Sequence, residues 1–225
     1  VFGQQFGLEV ANFFAHGDES RYETPSFRRS NAFAAAGREV KAVRESVGIN
    51  EVQNFGKFAV TGAAAREWLD WIMAGRIPEE GRMSLTPMLS PKGRLIGDFT
   101  VSCLAEDEFQ LTSSYGYQAV HERWLRQNLS DGVGLENISD KRTGFQIAGP
   151  LARHVLSSVT GADVSAEAFQ FFDVKRMVVG MCDCIVQRVS YTGDLGFEIY
   201  TDAASQRALW HALWAQGKPH GMRPF

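Results

Sequence analysis

The sequence predicts an α+β fold in which one unit, antiparallel strands with flanking helices, occurs twice. Three observations predict it. First, a segment that begins at Phe58 recurs at Phe145. Second, both halves of the chain show the same order of patterns, which is strand, helix, strands, hairpin and helix. Third, hydrophobic residues make up 44% and charged residues 22% of the chain, as in globular proteins. A two-copy repeat usually packs as a pseudo-symmetric pair.

The repeat is visible position by position at a constant offset, since 145 − 58 = 87. Residues 58–69 and 145–156 share Phe, Gly, Ala, Arg and the final Leu, and both read as a strand that ends at a glycine before a helix. Residues 109–112 and 197–201 correspond at an offset near 88. An internal duplication is the simplest interpretation of these matches.

We predict three segments, which are an N-terminal aromatic segment with a helix, a first α+β half and a truncated second half: residues 1–50, 51–135 and 136–225. Aromatic side chains of the first segment are expected to anchor an irregular stretch of chain on other structure. These are Phe2, Phe6, Phe13, Phe14, Tyr22, Phe27 and Phe33. Val40, Val43 and Val47 fall at helical spacing and predict a helix over residues 36–47, with Gly48 as its C-cap.

The first half is predicted to contain a strand at residues 57–61 and a helix at 63–74 that turns Trp68, Leu69 and Ile72 inward. Two long antiparallel strands and two further helices complete the pattern. In the first half these are strands at 94–104 and 108–112, preceded by a hairpin loop at 90–93, and a helix at 117–129 with Val120, Trp124, Leu125 and Leu129 inward. The matching helix of the second half is predicted at 202–216 and carries Leu209, Trp210, Leu213 and Trp214. The last residues, from Gly221, have the composition of a loop.

Charge and composition limit the classes of partner. A net charge of −3 argues against a nucleic-acid or anionic-membrane footprint, and no apolar run approaches the roughly 20 residues of a membrane span. We expect a small-molecule substrate and a cytoplasmic location. Three cysteines do not suggest a disulfide framework, and Cys182 and Cys184 are interpreted as small residues on one strand face. A metal site at this pair is not favoured, because no second Cys/His pair stands at a useful spacing.

Two stretches carry chemistry. In residues 188–200, β-forming residues flank a glycine-rich break, which predicts a tight hairpin with Tyr191 and Glu198 on paired strands. In residues 95–101, Asp98 interrupts a strand, and Gly97 beside it indicates a bulge or the close approach of a ligand. Each carboxylate has an ordinary alternative, since Glu198 could face solvent at an edge and Asp98 could bond its local backbone.

Both stretches resemble signatures of one family. The run Pro87-Met-Leu-Ser-Pro-Lys-Gly-Arg-Leu-Ile-Gly-Asp98-Phe-Thr-Val101 is similar to a signature of the folate-dependent aminomethyltransferases, the T-protein family of the glycine cleavage system. Residues 188–199 resemble that family's second signature. Residues 26–33 and 40–48 are similar to the folate-binding C-terminal region of dimethylglycine and sarcosine dehydrogenases. The resemblance covers nearly the whole chain.

The resemblance implies tetrahydrofolate as cofactor, held in a cleft between the two halves. It implies that Asp98 lies beside the folate nitrogens at which the one-carbon unit is transferred and is the catalytic group. It implies that Tyr191 and Glu198 line the pterin ring, with Thr100 and Arg188 as neighbours. A carboxylate suits the pterin edge because it accepts two N–H bonds side by side. Arg188 has an equal alternative as the structural partner of a nearby acid.

The chain also departs from the family pattern. Leu85 stands where relatives often have a tyrosine, thirteen residues before the aspartate, since 98 − 13 = 85. The family's arginine-containing segment and C-terminal barrel would follow Phe225, so the chain is interpreted as truncated. No Gly-x-Gly-x-x-Gly follows a strand pattern, so FAD is not expected on this chain. A flavin oxidoreductase domain or subunit, where present, would lie upstream of Val1.

The function implied is capture of an aminomethyl group or formaldehyde equivalent as 5,10-methylenetetrahydrofolate. The chain would be the folate module of a protein like dimethylglycine or sarcosine dehydrogenase, acting on an N-methyl or aminomethyl donor. Two alternatives stay open. One is a tetrahydrofolate-dependent demethylase, and the other is a non-catalytic member of the family that uses the same cleft for binding.

Overall fold

The computed structural model describes residues 1–5 and 7–225 of the chain. The strands are β1 (Phe2–Gln5), β2 (Leu8–Ala11), β3 (Gly48–Glu51), β4 (Phe55–Thr61), β5 (Met83–Leu89), β6 (Leu95–Ala105), β7 (Glu108–Ser114), β8 (Gly134–Asn137), β9 (Arg142–Ala148), β10 (Val174–Val179), β11 (Cys182–Gln187), β12 (Gly196–Asp202) and β13 (Arg223–Pro224). The α-helices are α1 (Ala32–Glu45), α2 (Ala65–Ile72), α3 (Gln118–Gln127), α4 (Ala152–Ser157) and α5 (Gln206–Gly217). None of the helices in this described part is long and apolar enough to cross a membrane.

Two sheets with the same strand order confirm the duplication. One sheet has the order β5-β6-β7-β4-β8, and the other has the order β10-β11-β12-β9-β3-β13. Each strand of the first sheet has its counterpart at the same place in the second, and helices follow in matching positions. Every pairing in these two sheets is antiparallel except that of β13 with β3. The predicted α+β class with duplicated antiparallel sheets is thus confirmed.

The two halves exchange a strand. Strand β3 directly precedes β4 in the chain, but it pairs with β9 of the second sheet. Strand β8 directly precedes β9, but it pairs with β4 of the first sheet. Each sheet is therefore completed by a strand from the other half, and the halves cannot separate without breaking two ladders of backbone hydrogen bonds. The sequence alone does not indicate this exchange, because both exchanged strands, β3 and β8, are four residues long and lack a strong pattern.

Side chains alternate between the two sides of each strand, so that each sheet has an apolar face and a more polar face. Phe58 and Val60 turn to a core that contains Trp68, Leu69 and Ile72 of α2, as predicted for that helix. A second core contains the corresponding strand residues and Leu209 and Leu213 of α5. The opposite faces of the sheets meet each other through a mixed layer, in which Gln187 Nε2 donates to Ser102 Oγ at 2.9 Å. The helices thus cover the outside, and the polar faces enclose the space between the sheets.

The glycine shared by the two repeat copies has one structural reason in both. Gly62 has φ +113° and Gly149 has φ +128°, angles that side-chain-bearing residues rarely adopt. A Cβ at Gly62 would lie 2.2 Å from the carbonyl oxygen of Gly132, and a Cβ at Gly149 would lie 2.5 Å from that of Ser46. Both turns from strand to helix therefore pack against backbone, which only glycine allows.

Several predicted details are wrong. Helix α1 begins four residues earlier than predicted and ends at Glu45, so Gly48 begins a strand instead of capping a helix. Val43 and Val47 are buried, but Val40 is 60% exposed, because the helix packs on a narrower face than the valine spacing indicated. Val120 is 42% exposed, and Leu129 lies beyond the end of the shorter α3.

The ends of the chain also differ from expectation. Residues 223–224 form β13 where a loop was predicted, because they find a partner in β3. In the N-terminal segment Phe13 is buried as an anchor, whereas most of the other aromatic residues that the structure describes are exposed. The exposed ones are Phe2, Phe14, Tyr22, Phe27 and Phe33. Phe6 lies outside the described residues. A short hairpin of β1 and β2 replaces part of the predicted irregular segment.

Candidate functional site

Two adjoining cavities open between the sheets. The larger has a volume of about 770 Å³ and the smaller about 580 Å³. They share four lining residues, which are Phe55, Asp98, Ser114 and Tyr191. The walls of the smaller cavity also include Leu85, Thr100, Thr112 and Glu198. The structure thus brings four of the five sequence-predicted site residues, Asp98, Thr100, Tyr191 and Glu198, to one place.

Asp98 lies where the two cavities join. It pairs with Pro87 across β5 and β6, and the register shifts directly beside it, since Met88 pairs with Gly97 but Leu89 pairs with Leu95. Ile96 is therefore the extra residue of a β-bulge, as predicted from the glycine. A bulge next to a strand re-aims the side chains that follow, and here it leaves the Asp98 carboxylate exposed at the cavity junction.

A buried histidine holds this bulge in place. His121 Nε2 lies 3.2 Å from the carbonyl oxygen of Ile96, and its Nδ1 lies 3.0 Å from Ser113 Oγ. Because a carbonyl only accepts, Nε2 carries the proton and Nδ1 accepts from the serine hydroxyl. A Cβ at Gly97 would lie 2.3 Å from His121 Nε2, so the glycine makes room for this ring in the wall of the larger cavity. Burial lowers the pKa of His121, which keeps the imidazole neutral.

His121 is not among the site residues predicted from the sequence. Its helical spacing of four from Leu125, a buried residue of α3, places it on the inward face of that helix. A histidine on such a face is a signal for a specific polar partner. The partner itself, a backbone carbonyl in β6, follows only from the tertiary packing.

Tyr191 is not on a paired strand, and the prediction of a tight hairpin is wrong. Strand β11 ends at Gln187, which pairs with Glu198 of β12, so residues 188–195 form an eight-residue connection. Polar side chains stabilise this loop, since Ser190 Oγ donates to the carbonyl oxygen of Asp194 at 2.6 Å. The Tyr191 backbone N–H donates to Gln146 Oε1 at 3.2 Å, and its ring is 84% exposed beside both cavities.

Glu198 is held inside, which resolves the alternative of an exposed edge position. Its neighbours Phe197 and Ile199 turn to the helical core, so alternation turns Glu198 to the space between the sheets, where it is 9% exposed. Tyr200 donates its hydroxyl to Glu198 Oε2 at 2.7 Å. Burial raises the pKa of Glu198, while the Tyr200 hydrogen bond and the charge of Lys57 partly oppose that rise.

Lys57 is a buried cation that sequence analysis missed. Its Nζ donates to the backbone carbonyls of Phe55 at 2.9 Å and Gln53 at 3.4 Å, and the residue has no exposed surface. Burial lowers the pKa of Lys57 to about 8, although the charges of Asp140 and Glu198 favour the protonated form. Its position at the predicted start of a strand concealed it, because a strand end is usually solvated.

Arg188 lies outside the lining of both cavities. Its guanidinium donates to the carbonyl oxygen of Gly196 at 3.2 Å and stacks over the ring of Phe197 at 5.3 Å. These contacts clamp the base of the Tyr191 loop to β12. The described contacts of the guanidinium thus involve a backbone carbonyl and a ring and not the acid of the structural alternative, and Arg188 Nε has no hydrogen-bond partner among the described residues. A folate contact of Arg188 stays a prediction.

The smaller cavity has a partly apolar wall, which includes Leu85. Leu85 is 64% exposed and pairs with Thr100 across β5 and β6, so both side chains stand on the same face of the sheet. Together with Phe55 and Pro87 they form the side opposite Glu198. The site therefore combines two carboxylates, one exposed and one buried, with aromatic and aliphatic surface. This combination suits a flat ligand that carries N–H groups on one edge.

Comparison with known proteins identifies relatives along the whole chain. A model of the GCVT N-terminal domain matches residues 1–225. Human mitochondrial dimethylglycine dehydrogenase is 35% identical over 216 residues, which cover 95% of this chain and 25% of that protein. An aminomethyltransferase of Clostridium botulinum (strain ATCC 19397 / Type A) is 30% identical over 225 residues, which cover 98% of this chain and 57% of that protein.

A solved structure shows the same fold. The glycine cleavage system aminomethyltransferase T of Bartonella henselae superposes with a TM-score of 0.80 at 20% identity, covering all of this chain and 55% of that one. The chain thus spans about a quarter to just over half of the length of these relatives.

Proposed function

Because the chain belongs to the family of GCVT N-terminal domains, we propose that it binds tetrahydrofolate between its two sheets and takes part in one-carbon transfer. The observation that carries the proposal is Glu198, a carboxylate buried in a cavity wall with one oxygen bonded by Tyr200. A buried carboxylate that faces an open cavity needs a partner with N–H groups. The amino group and ring N–H of a pterin supply that partner.

The residues of both cavities fit this ligand. The smaller cavity offers Glu198 on one side and Leu85 and Phe55 on the other, which suits a flat ring with one polar edge. The larger cavity continues past Asp98 and Tyr191 and gives room for the remainder of the molecule. Thr112 Oγ1, in the wall of the smaller cavity, is buried without a hydrogen-bond partner among the described residues, as expected of a group that faces a ligand.

Each side chain has a distinct task in the proposed reaction. Tetrahydrofolate, when bound, supplies the nitrogen atoms that accept the one-carbon unit. Glu198 binds and orients the ring edge, and the exposed ring of Tyr191 covers the ligand at the junction of the cavities. Asp98, whose position is fixed through the His121 contact to the neighbouring bulge, stabilises positive charge beside the reacting nitrogens.

We propose further that the chain is the folate module of a dimethylglycine-dehydrogenase-like protein, with 5,10-methylenetetrahydrofolate as product. The similarity to the human dehydrogenase supports this branch. The donor would be an N-methyl or aminomethyl compound, and a flavin oxidoreductase domain or subunit would release the one-carbon unit. A cytoplasmic location stays a prediction, and the name of the human relative places that protein in mitochondria.

Leu85 favours one alternative function. It puts an aliphatic side chain in the wall of the smaller cavity, at the position where the resemblance to the family implies a tyrosine, so that a polar contact would be lost without closing the space. A member of the family that binds folate but does not turn over would have such a site. Folate affinity without turnover would support that alternative, whereas a tetrahydrofolate-dependent demethylase would transfer a methyl group from a sulfonium or similar donor.

The proposed function is tested by calorimetric titration with tetrahydrofolate. We expect Glu198→Ala to weaken binding by about 1.5–3 kcal/mol, which is roughly ten- to hundredfold, because a charge-assisted hydrogen bond is lost. Glu106→Ala, which removes an exposed carboxylate from the turn between β6 and β7, is the matched control and should bind as the parent does. Equal affinity of the Glu198→Ala variant and the parent would remove Glu198 from the site, and absence of binding in the parent would reject the proposal.

Binding is also expected to depend on pH. Burial raises the pKa of Glu198 above its ordinary value of 4.5, so the free carboxyl takes up a proton before an exposed glutamate would. The proton blocks an acceptor for the ligand, and folate affinity should therefore fall as the pH is lowered through this raised pKa, by about tenfold per unit below it. The same titration with Glu198→Gln reports the ligand's own protonation, and identical pH profiles for the two proteins would contradict the expectation.

A further inference from the structure

A row of polar side chains crosses the second sheet beside the cavities. Glu198 of β12 stands directly opposite Gln146 of β9, and Gln146 stands directly opposite Asn50 of β3. Residues that are paired in register put their side chains on the same face of a sheet, with Cβ atoms about 5 Å apart. Glu198 lines the smaller cavity, and Gln146 and Asn50 line the larger one. The row thus runs from the buried Glu198 carboxylate to the exposed Asn50 side chain.

Gln146 has one half of its amide satisfied and the other half free. It is 1% exposed, so its polar atoms cannot rely on bulk water. The Tyr191 backbone N–H points to the amide at 3.2 Å. Because an N–H group requires an acceptor, the atom that it meets is the oxygen Oε1, and the orientation of the amide is fixed. Nε2 then has no partner among the described residues.

Gln146 Nε2 is thus a buried hydrogen-bond donor in the wall of the larger cavity, and it has no acceptor among the described residues. Leaving such a donor unpaired is unfavourable by an amount comparable to a lost hydrogen bond. The orientation of the amide is specific, because the backbone N–H of Tyr191 binds Oε1 and leaves Nε2 as the free donor. The two ends of the row therefore offer different chemistry, with Glu198 accepting and Gln146 Nε2 donating.

We propose that Gln146 Nε2 donates a hydrogen bond to a carbonyl oxygen of the ligand whose N–H edge is bound by Glu198. This inference rests on the proposed function and deepens it. The pterin ring carries an amino group, a ring N–H and a carbonyl in that order along one edge. Glu198 and Gln146, on adjacent strands, present acceptors and then a donor in the matching order. The pair selects a cyclic amide and rejects a ring that has a second amino group in place of the carbonyl.

The test compares two ligands in one protein. Tetrahydrofolate and its analogue with an amino group in place of the 4-carbonyl are titrated into the parent and into Gln146→Met, which has a similar length but no donor. We expect the ratio of the two affinities to shift towards the amino analogue by about tenfold in the variant, the equivalent of one hydrogen bond. Asn50→Ala is the matched control, because it removes an exposed amide from the same cavity and should change both affinities equally.

A second variant guards against a purely structural effect. Gln146→Glu keeps the acceptor for the Tyr191 N–H and replaces the donor by an acceptor, so at a pH that ionises it the preference should reverse in favour of the amino analogue. A loss of packing alone would weaken both ligands and leave their ratio unchanged. An unchanged ratio in both variants overturns the inference, and the proposed function survives if Glu198→Ala still abolishes tight binding. A parent that binds neither ligand overturns both.

Discussion

Replacing Asp98 by Asn is expected to lower the rate of one-carbon transfer by about 10²–10⁴-fold. The substitution keeps the shape of the side chain and removes its charge. The carboxylate is exposed at the junction of the two cavities, where positive charge on the reacting nitrogens would develop. An amide stabilises that charge far less than a carboxylate does. The effect should appear in turnover and much less in the affinity for tetrahydrofolate, because Glu198 supplies the ring contact.

The fold should tolerate Asp98→Asn. The backbone of Asp98 pairs with Pro87, and the bulge beside it is held by His121 through the carbonyl of Ile96. Neither contact uses the Asp98 side chain. The measurement is the rate at which methylenetetrahydrofolate forms from tetrahydrofolate and an aminomethyl donor, after subtraction of the uncatalysed rate. Asp131→Asn, at an exposed position outside both cavities, is the control. Comparable turnover of Asp98→Asn and the parent would exclude Asp98 as a catalytic group.

Local patterns in the sequence were sufficient for much of the fold. The inward face of α2, with Trp68, Leu69 and Ile72, follows from 3.6-residue periodicity, because one helix and one apolar stripe decide it. The bulge beside Asp98 follows from Gly97, because an acid and a glycine inside a strand are both unfavourable there. Such signals lie within a few residues of the feature that they predict.

The predictions that failed concern features that depend on contacts between distant parts of the chain. Tyr191 was placed on a strand because the residues around it favour strands, but Ser190 closes a wider loop and Gln146 binds its backbone from β9. Lys57 was overlooked because residues distant in sequence, Glu198 and Tyr200 of the second sheet among them, lie beside its buried ammonium group. A residue whose role is set by a partner tens of positions away, such as Gln146 for Tyr191 or Glu198 for Lys57, leaves no local pattern.

The second large effect is expected on stability. We predict that Gly149→Ala lowers the free energy of unfolding by about 3–5 kcal/mol, through an unfavourable backbone angle and a steric clash together. At φ +128° a side chain is strained whatever the space around it. The added Cβ would also meet two backbone carbonyl oxygens at the end of α1, 2.5 Å from that of Ser46 and 2.6 Å from that of Val43. Backbone atoms at a helix end cannot move aside as a side chain would.

The same glycine connects the fold to the site. Its N–H donates to the carbonyl oxygen of Leu195 at 2.7 Å, at the end of the loop that carries Tyr191. Displacement of the Gly149 turn should therefore weaken folate binding as well as stability. Thermal unfolding followed by circular dichroism measures the first effect, and a midpoint about 10 °C below that of the parent is expected. Gly37→Ala, inside α1 with nothing within 4 Å, should instead raise stability by about 0.5–1 kcal/mol. If Gly149→Ala unfolded within about 2 °C of the parent, the turn would have relaxed, and the close packing of the repeat glycine would not be what holds the second half against α1.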